Sequence, residues 1–243
     1  MNDRSPSGLE KLWMREQLES KPRLGLSLER IVESGIALAD GDGLAAVSMK
    51  RVAESLGFTT MSLYRHVASK DELLLLMHDS AWRPPDGLDI PHGGWRDDLA
   101  WWTREQYAIM ERHPWLDEVR FIERAGTPSQ IAWMDLGLRA LGDVQLSEYH
   151  KVAVLLLLSG YVSSTARLAL TSREGAQRGL FAPDEATAAF GELLRTIVDP
   201  GRYPALFRAV EGGAFAPVEG ELYAPLDFGL QLMLDGIERL IGA

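Results

Sequence analysis

The chain has 243 residues, a formal net charge of −10 and no cysteine. That length leaves room for one or two domains with a full core, and the lack of cysteine excludes disulfides, thiol nucleophiles and thiolate metal ligands. The acidity is unevenly spread: residues 71–243 hold 15 Lys and Arg against 26 Asp and Glu, whereas residues 1–70 hold 10 against 9. An acidic body behind a locally basic segment is compatible with nucleic-acid binding through that segment, and it discourages unspecific sticking. The N-terminus lacks an apolar signal-peptide core and no run of about twenty apolar residues occurs, so a soluble cytoplasmic protein is expected.

Residues 1–26 read as a flexible basic N-terminal arm. Glu10–Glu19, with apolar Leu12, Trp13 and Leu18, fits a turn or two of helix, which Pro22 interrupts between Lys21 and Arg23. Such an arm either reaches a minor groove or backbone or is a plain tail. Ser27–Ala39 predicts the first firm helix. Leu28, Ile31, Val32, Gly35, Leu38 and Ala39 recur at helical spacing, and Asp40-Gly41-Asp42-Gly43 stops it.

Ser48–Lys70 predicts two short helices with a tight turn. Ser48 can cap the first, Val52, Ala53 and Leu56 form its apolar face, and Gly57 marks the exit with positive φ. The second runs from about Thr59 to Val67 and buries Leu63 and Val67. Its other face presents Thr60, Met61, Ser62, Tyr64, Arg65 and His66. Lys50 and Arg51 lie in a first turn, where the macrodipole disfavours cations, a placement that phosphates opposite would explain. Lys50, Arg51, Arg65 and Lys70 face only Glu54 in this stretch. Ser69 and Glu72 form a capping box that opens the next helix. The pattern fits a helix-turn-helix whose second helix enters a major groove.

The run Ile31–Leu73 resembles the DNA-binding domain of the tetracycline-repressor (TetR) family. The resemblance is carried by the apolar spacing of Ile36–Ala39, S-M-x-x-V-A-x-x-L-G at Ser48–Gly57, and M-S-L-Y-R-H-V-x-x-K-D-E-L at Met61–Leu73. It implies an all-α fold: a helix-turn-helix domain of three helices over residues 27–72, then a helical bundle over 73–243 for ligand binding and dimerisation. It also implies that Thr60, Met61, Ser62 and Tyr64 project toward base edges and that Lys50 reaches a base from the preceding helix. Ser48, Thr59, Tyr64, His66 and Lys70 would contact phosphates. His66 has a second reading, as a hydrogen-bonded packing residue. Two departures, Arg65 at a position often apolar and the adaptable Met61, leave the operator sequence open.

Asp71–Trp82 continues as the helix joining head to body, and the Pro84–Gly87 and Pro91–Gly94 clusters mark a loop. Helices are then predicted for Trp95–Arg112, closed by His113-Pro114, for about Leu116–Glu123, and from Thr127-Pro128, a cap-plus-N1 pair, to about Leu141. Ser147–Ser172 follows, its Val152–Val162 run read as a core helix buried on most faces. Pro183 to about Val198, Tyr203–Val210 and Leu222–Ile241 complete the chain. In the last, Leu226, Leu230, Met233, Ile237 and Leu240 form an a/d seam. This seam either pairs with Ser147–Ser172 in a four-helix homodimer interface, as the family resemblance implies, or packs inside its own subunit.

Five tryptophans fall between Trp95 and Trp133. With Met110, Met134, Tyr161 and Phe181 they suggest an apolar ligand pocket around Trp101, Trp102, Tyr107, Met110, Trp115, Trp133 and Tyr161, with Gln106, His113 or Arg167 as polar anchors. No H-E-x-x-H, G-x-S-x-G, phosphate loop or G-x-G-x-x-G occurs, and His66, His78, His92, His113 and His150 have no metal spacing. No enzyme, metal or cofactor is therefore expected. The expected function is a ligand-responsive regulator, a repressor released from a palindromic operator by a small, mostly apolar effector. The alternative is a ligand-binding or interaction protein of the same fold without specific DNA binding.

Overall fold

The structure, a computed structural model, describes residues 8–16, 25–119, 126–177, 183–215 and 225–242. Among the described residues there are helices and turns but no strand. The helices are α1 (Gly8–Glu16), α2 (Leu28–Asp42), α3 (Met49–Leu56), α4 (Thr60–Tyr64), α5 (Lys70–Ala81), α6 (Trp95–Arg112), α7 (Pro128–Ala140), α8 (Glu148–Gln177), α9 (Pro183–Ile197), α10 (Pro204–Glu211) and α11 (Pro225–Ile241). Short 3-10 segments cover Leu44–Ala46 and Pro114–Glu118. The chain forms two compact units, one of residues 1–163 with 237–243 and the other of residues 164–236.

In the first unit, hydroxyl caps set where each helix of the head begins. Ser27, Ser48, Thr59 and Ser69 accept from the backbone N–H of Arg30, Arg51, Ser62 and Glu72, at 3.1–3.3 Å. Each cap satisfies a donor with no partner inside its helix and contributes about 1 kcal/mol. The capping box of α5 closes one residue earlier than expected, because Glu72 Oε2 accepts from the Ala68 N–H at 2.7 Å. Gly57 ends α3 in the left-handed region (φ 73°, ψ 27°), as its position requires. Ile31, Val52, Leu63, Val67 and Leu73 are fully buried beneath these turns.

Several boundaries differ from the sequence reading; α8, expected to end at Ser172, runs on to Gln177. α2 runs on to Asp42, where Gly43 (φ 80°) stops it. α4 is only five residues long, because the chain must turn out to reach the extended cap Ser69. His66 N–H then closes a tight turn on Leu63 O at 2.8 Å. The expected helix from Leu116 begins at Pro114 as a 3-10 segment and ends at Glu118, and the end of the expected range lies outside the described residues.

The N-terminal arm is partly a packed element. α1 lies against α5 and α7, buries Leu12 and donates from Trp13 Nε1 to Gly126 O at 3.0 Å. Residues 17–24, including Pro22 and the two basic residues, lie outside the described residues. Thr127 precedes Pro128 as expected but does not cap α7; among the described residues its buried hydroxyl has no partner. The cap comes from α5, whose buried Asp79 accepts from the Ser129 N–H at 2.9 Å. In the loop between α5 and α6, Asp89 accepts from the Ile90 N–H and from Arg139. These bonds hold its carboxyl below the ordinary carboxylate range, against the opposing effect of desolvation.

Gly137 of α7 is required by packing. A Cβ there would stand 2.7 Å from Leu155 and 2.9 Å from Trp102, so its absence lets α6, α7 and α8 approach closely. α8 itself departs from the expected core helix. Val154, Leu155, Leu158 and Val162 are buried, but Ala153, Leu156 (57 % exposed), Leu157 (55 % exposed) and Gly160 share an exposed face. Gly160 faces open space within the chain. Glu148–Thr171 is also long and apolar enough by length and composition to cross a membrane, because its Ser, Gly and Thr barely dilute the leucines.

The second unit contains a small core of Leu194, Val198 and Val210, with Phe207 and Phe215 packed on it. α11 runs through this unit and ends in the first. The predicted a/d seam is largely its inward face: Leu226 and Ile237 are buried and Leu230 is 0 % exposed, while Met233 is half-buried. Leu240 is exposed, so three of the five seam residues are covered within the chain and two remain accessible. Phe228 and Leu232 occupy the exposed side instead. A 4-3 spacing identifies one apolar stripe but does not say which surface covers it.

Candidate functional site

The Thr59 cap and buried Leu63 fix α4 by its inner side and leave its outer side exposed. Met61 is 70 % exposed and Tyr64 49 % exposed, far above what large apolar side chains usually show, while Thr60, Ser62 and His66 are half-buried. Phe58, one residue before the cap, is also exposed, a residue that the sequence reading passed over. Thr59 Oγ1 lies 3.0 Å from Ser62 Oγ in addition to capping the helix. Ser48 is half-buried as the cap of α3, and Lys70 is exposed in the first turn of α5.

The two cations at the start of α3 differ. Lys50 remains exposed, 3.7 Å from Glu54 Oε1 in an i,i+4 pair. Arg51 is committed within the protein: its guanidinium pairs with Asp42 at 2.6 Å and reaches the carbonyl of Ala46 at 3.5 Å. A cation at one helix start and an anion at the preceding helix end are each disfavoured by their own macrodipole. Here they compensate each other, and phosphate is not needed to explain Arg51.

The aromatic body residues divide in the same way. Trp102 and Trp133 are buried and their indole N–H groups are used, Trp102 donating to Trp133 O and Trp133 to Trp82 O, both at 2.7 Å. Trp101 stands against Trp133 with ring centroids 6.4 Å apart. Gln106 is buried, with Ser159 Oγ 3.3 Å from its Oε1. Met110 is buried, and Trp101, Tyr107 and Tyr161 are half-buried. Trp115 is fully buried and Met134 exposed; Phe181 lies outside the described residues. Arg167 of α8 is exposed and belongs to the second unit.

His113 does not join this group. Its Nδ1 lies 2.8 Å from Asp40 Oδ1 on α2, and Trp115 Nε1 donates to the same oxygen at 2.7 Å. Asp40 and Asp79 are two further residues the sequence reading missed. An acid in the last turn of α2, where no basic residue stands, is the signal that would have found Asp40, since it needs compensation from elsewhere. A cleft of about 810 Å3 also lies apart from the aromatic group, between α1, α2, α5, the following loop and α7.

Comparison with known proteins places these features. Residues 31–77 match the family described as bacterial regulatory proteins, tetR family, and residues 88–241 match the tetracyclin repressor-like C-terminal domain. The chain is 37 % identical over 235 residues to the HTH-type transcriptional repressor DrrR1 of Streptomyces coeruleorubidus, covering 96 % of this chain and 85 % of that one. It is 26 % identical over 232 residues to an HTH-type transcriptional regulator of Saccharopolyspora erythraea, covering 95 % and 92 %. Its fold is similar to that of the Streptomyces coelicolor TetR family protein ActR in complex with actinorhodin, with a TM-score of 0.73 and 24 % identity over 90 % of this chain and all of that one. The helix-turn-helix head, the helical body and these matches together show that the chain belongs to the TetR family of transcriptional regulators.

Proposed function

We propose that the chain is a homodimeric, ligand-responsive repressor, with residues 27–72 as its DNA-reading head and 73–243 as its ligand-binding and dimerisation body. The observation that carries this reading is the outward face of α4, where Met61 and Tyr64 stand exposed above a rigidly capped turn. Thr60, Met61, Ser62 and Tyr64 read base edges and thymine methyls, and Lys50 reaches in from α3. Ser48, Thr59, Tyr64, His66 and Lys70 fix register on phosphates. The repressor relative DrrR1 supports the direction of control. Acting on DNA places the protein in the cytoplasm.

One five-residue helix reads DNA weakly, so two half-sites held together gain affinity through effective concentration. A second copy covers the apolar stripe of Ala153, Leu156, Leu157 and Gly160 on α8, whose open glycine permits close approach, and separately the exposed side of α11 at Leu232. The effector is a small, mostly apolar molecule held near Trp101, Trp102, Gln106, Tyr107, Met110, Trp133 and Tyr161. Gln106 serves as the polar anchor in place of His113. ActR in complex with actinorhodin supports a small-molecule site in this fold. Release requires an effector that prefers the DNA-incompetent dimer; a 100-fold loss of operator affinity corresponds to about 2.7 kcal/mol of coupling.

The test is a titration against the duplex upstream of the protein's own gene at two salt concentrations. Tight, sequence-selective binding with a steep salt slope is expected. Binding no stronger than to random DNA, by protein stripped of small molecules, would overturn the reading.

A further inference from the structure

We infer that Trp82 and Thr127 are the recognition groups of a buried subsite on the seam between α5 and α7, which takes the carbonyl oxygen of a neutral, largely apolar molecule. The inference rests on the proposed reading of the chain as a ligand-responsive regulator and names the chemistry of the ligand. Neither residue belongs to the set placed around the effector above. The seam is tied twice. Asp79 of α5 accepts from the Ser129 N–H at 2.9 Å, and Trp133 of α7 donates its indole N–H to Trp82 O at 2.7 Å. Trp102 in turn donates to Trp133 O at 2.7 Å. Three tryptophans thus form a series in which each indole N–H is spent on the carbonyl of the next, and the last N–H, that of Trp82, is left over.

Trp82 is 6 % exposed, and its Nε1 has no hydrogen-bond partner among the described residues. The Thr127 hydroxyl, 0 % exposed, has none among them either. Buried polar groups are nearly always paired, and an orphan costs the folded protein its desolvation. Two of them on one seam call for a partner that arrives from outside the chain. Asp79 stands one turn before Trp82 and Ser129 just after Thr127, so both orphans flank the same bond. The Trp82 ring leans back along α5 toward that bond, as long helical side chains do, and stands 6.3 Å from the His78 ring.

The groups present select the ligand. An indole N–H only donates and a hydroxyl donates or accepts, so the pair suits an oxygen acceptor. Asp79 holds a buried carboxylate between them, which repels an anionic oxygen at this depth. A neutral carbonyl oxygen fits both conditions. Flat rings wall the seam, His78 against Trp82 and Trp101 against Trp133 at 6.4 Å, and planar apolar rings stack on them.

The experiment uses the full chain, labelled with 15N-tryptophan and stripped of small molecules. It is titrated with two shape-matched probe pairs that differ in one carbonyl, fluorenone with fluorene and xanthone with xanthene. The indole N–H resonance of Trp82 is identified by its loss in Trp82→Phe. Each ketone is expected to move that resonance downfield and to bind about tenfold more tightly than its carbonyl-free counterpart. Thr127→Val and Trp82→Phe should each reduce this preference several-fold, and the double variant should abolish it. Taking the ratio within each variant cancels the packing that Trp82→Phe also removes. Without probe, Thr127→Val should melt at or above wild type, because it removes an unpaired group.

A Trp82 resonance that neither ketone moves, as a water fixed in the seam would give, overturns the subsite, and so does equal binding of ketone and hydrocarbon. A clear fall in the Thr127→Val melt overturns it as well, by showing that the hydroxyl is paired within the protein. The regulator reading fails separately: ketones that fill the subsite yet never release an operator duplex would end the effector role and leave the subsite standing.

Discussion

The head and the body of this chain use large apolar residues in opposite ways. On α4, Met61 and Tyr64 are held at the surface by a capped turn whose core contact is Leu63. On α6 and α7, Trp102 and Trp133 are buried, with their indole donors satisfied by backbone carbonyls. Aromatic content alone therefore does not mark a site. On α4 two large apolar side chains one turn apart are kept in water, each forgoing about 1.5–3 kcal/mol of burial that packing would supply. Charges divide along the same line: Lys50 and Lys70 are exposed, whereas Arg51 is spent on Asp42.

This contrast breaks most sharply in the body. Trp102→Ala should destabilise folding by about 3–5 kcal/mol, measured by urea unfolding, with operator selectivity intact below the transition. A cost under about 1 kcal/mol would show that Trp102 is not a packing residue. Next comes the exposed stripe of α8. Leu157→Glu should leave the fold of the protomer unchanged yet weaken self-association by about 2 kcal/mol or more, read by sedimentation equilibrium. An unchanged dimer would move the interface elsewhere.

In the head, Tyr64→Ala should cost about 1–3 kcal/mol of operator binding and relax base preference at one position, without shifting the melting temperature. Lys70→Ala should weaken all sequences alike and lower the salt slope by about one; an unaltered slope would remove Lys70 from the phosphate contacts. The smallest effect is expected at the head of α7. Thr127 buries a hydroxyl without a partner among the described residues, so Thr127→Val should be neutral or stabilising by up to about 1 kcal/mol. A clear loss in a thermal melt would reveal a bond that this hydroxyl makes.

The head was legible because its determinants are local. Ser48 and Ser69 as caps and Gly57 as the left-handed exit all act within four residues of their own position. Two readings, one in the head and one in the body, needed partners outside their own helix. Arg51 looked like a phosphate contact until Asp42 appeared beside it, and Thr127 looked like a cap whose role Asp79 fills from another helix. The body was legible as helices but not as surfaces. The seam of Leu226, Leu230 and Ile237 and the run Val152–Val162 are equally apolar in sequence; the first is buried in the chain, while the second exposes Leu156 and Leu157.

Sequence by itself determined where the helices of the head begin, the Gly57 exit, the outward face of α4 and the all-helical order of the described body. Capping, glycine geometry and 3.6-residue periodicity are short-range forces written in adjacent residues. Tertiary structure alone decided which apolar stripes face inward, that α1 packs against α5 and α7, and that His113 and Trp115 converge on Asp40. Those outcomes depend on groups 73 and 75 residues apart meeting within hydrogen-bonding distance, and no local propensity encodes such a meeting.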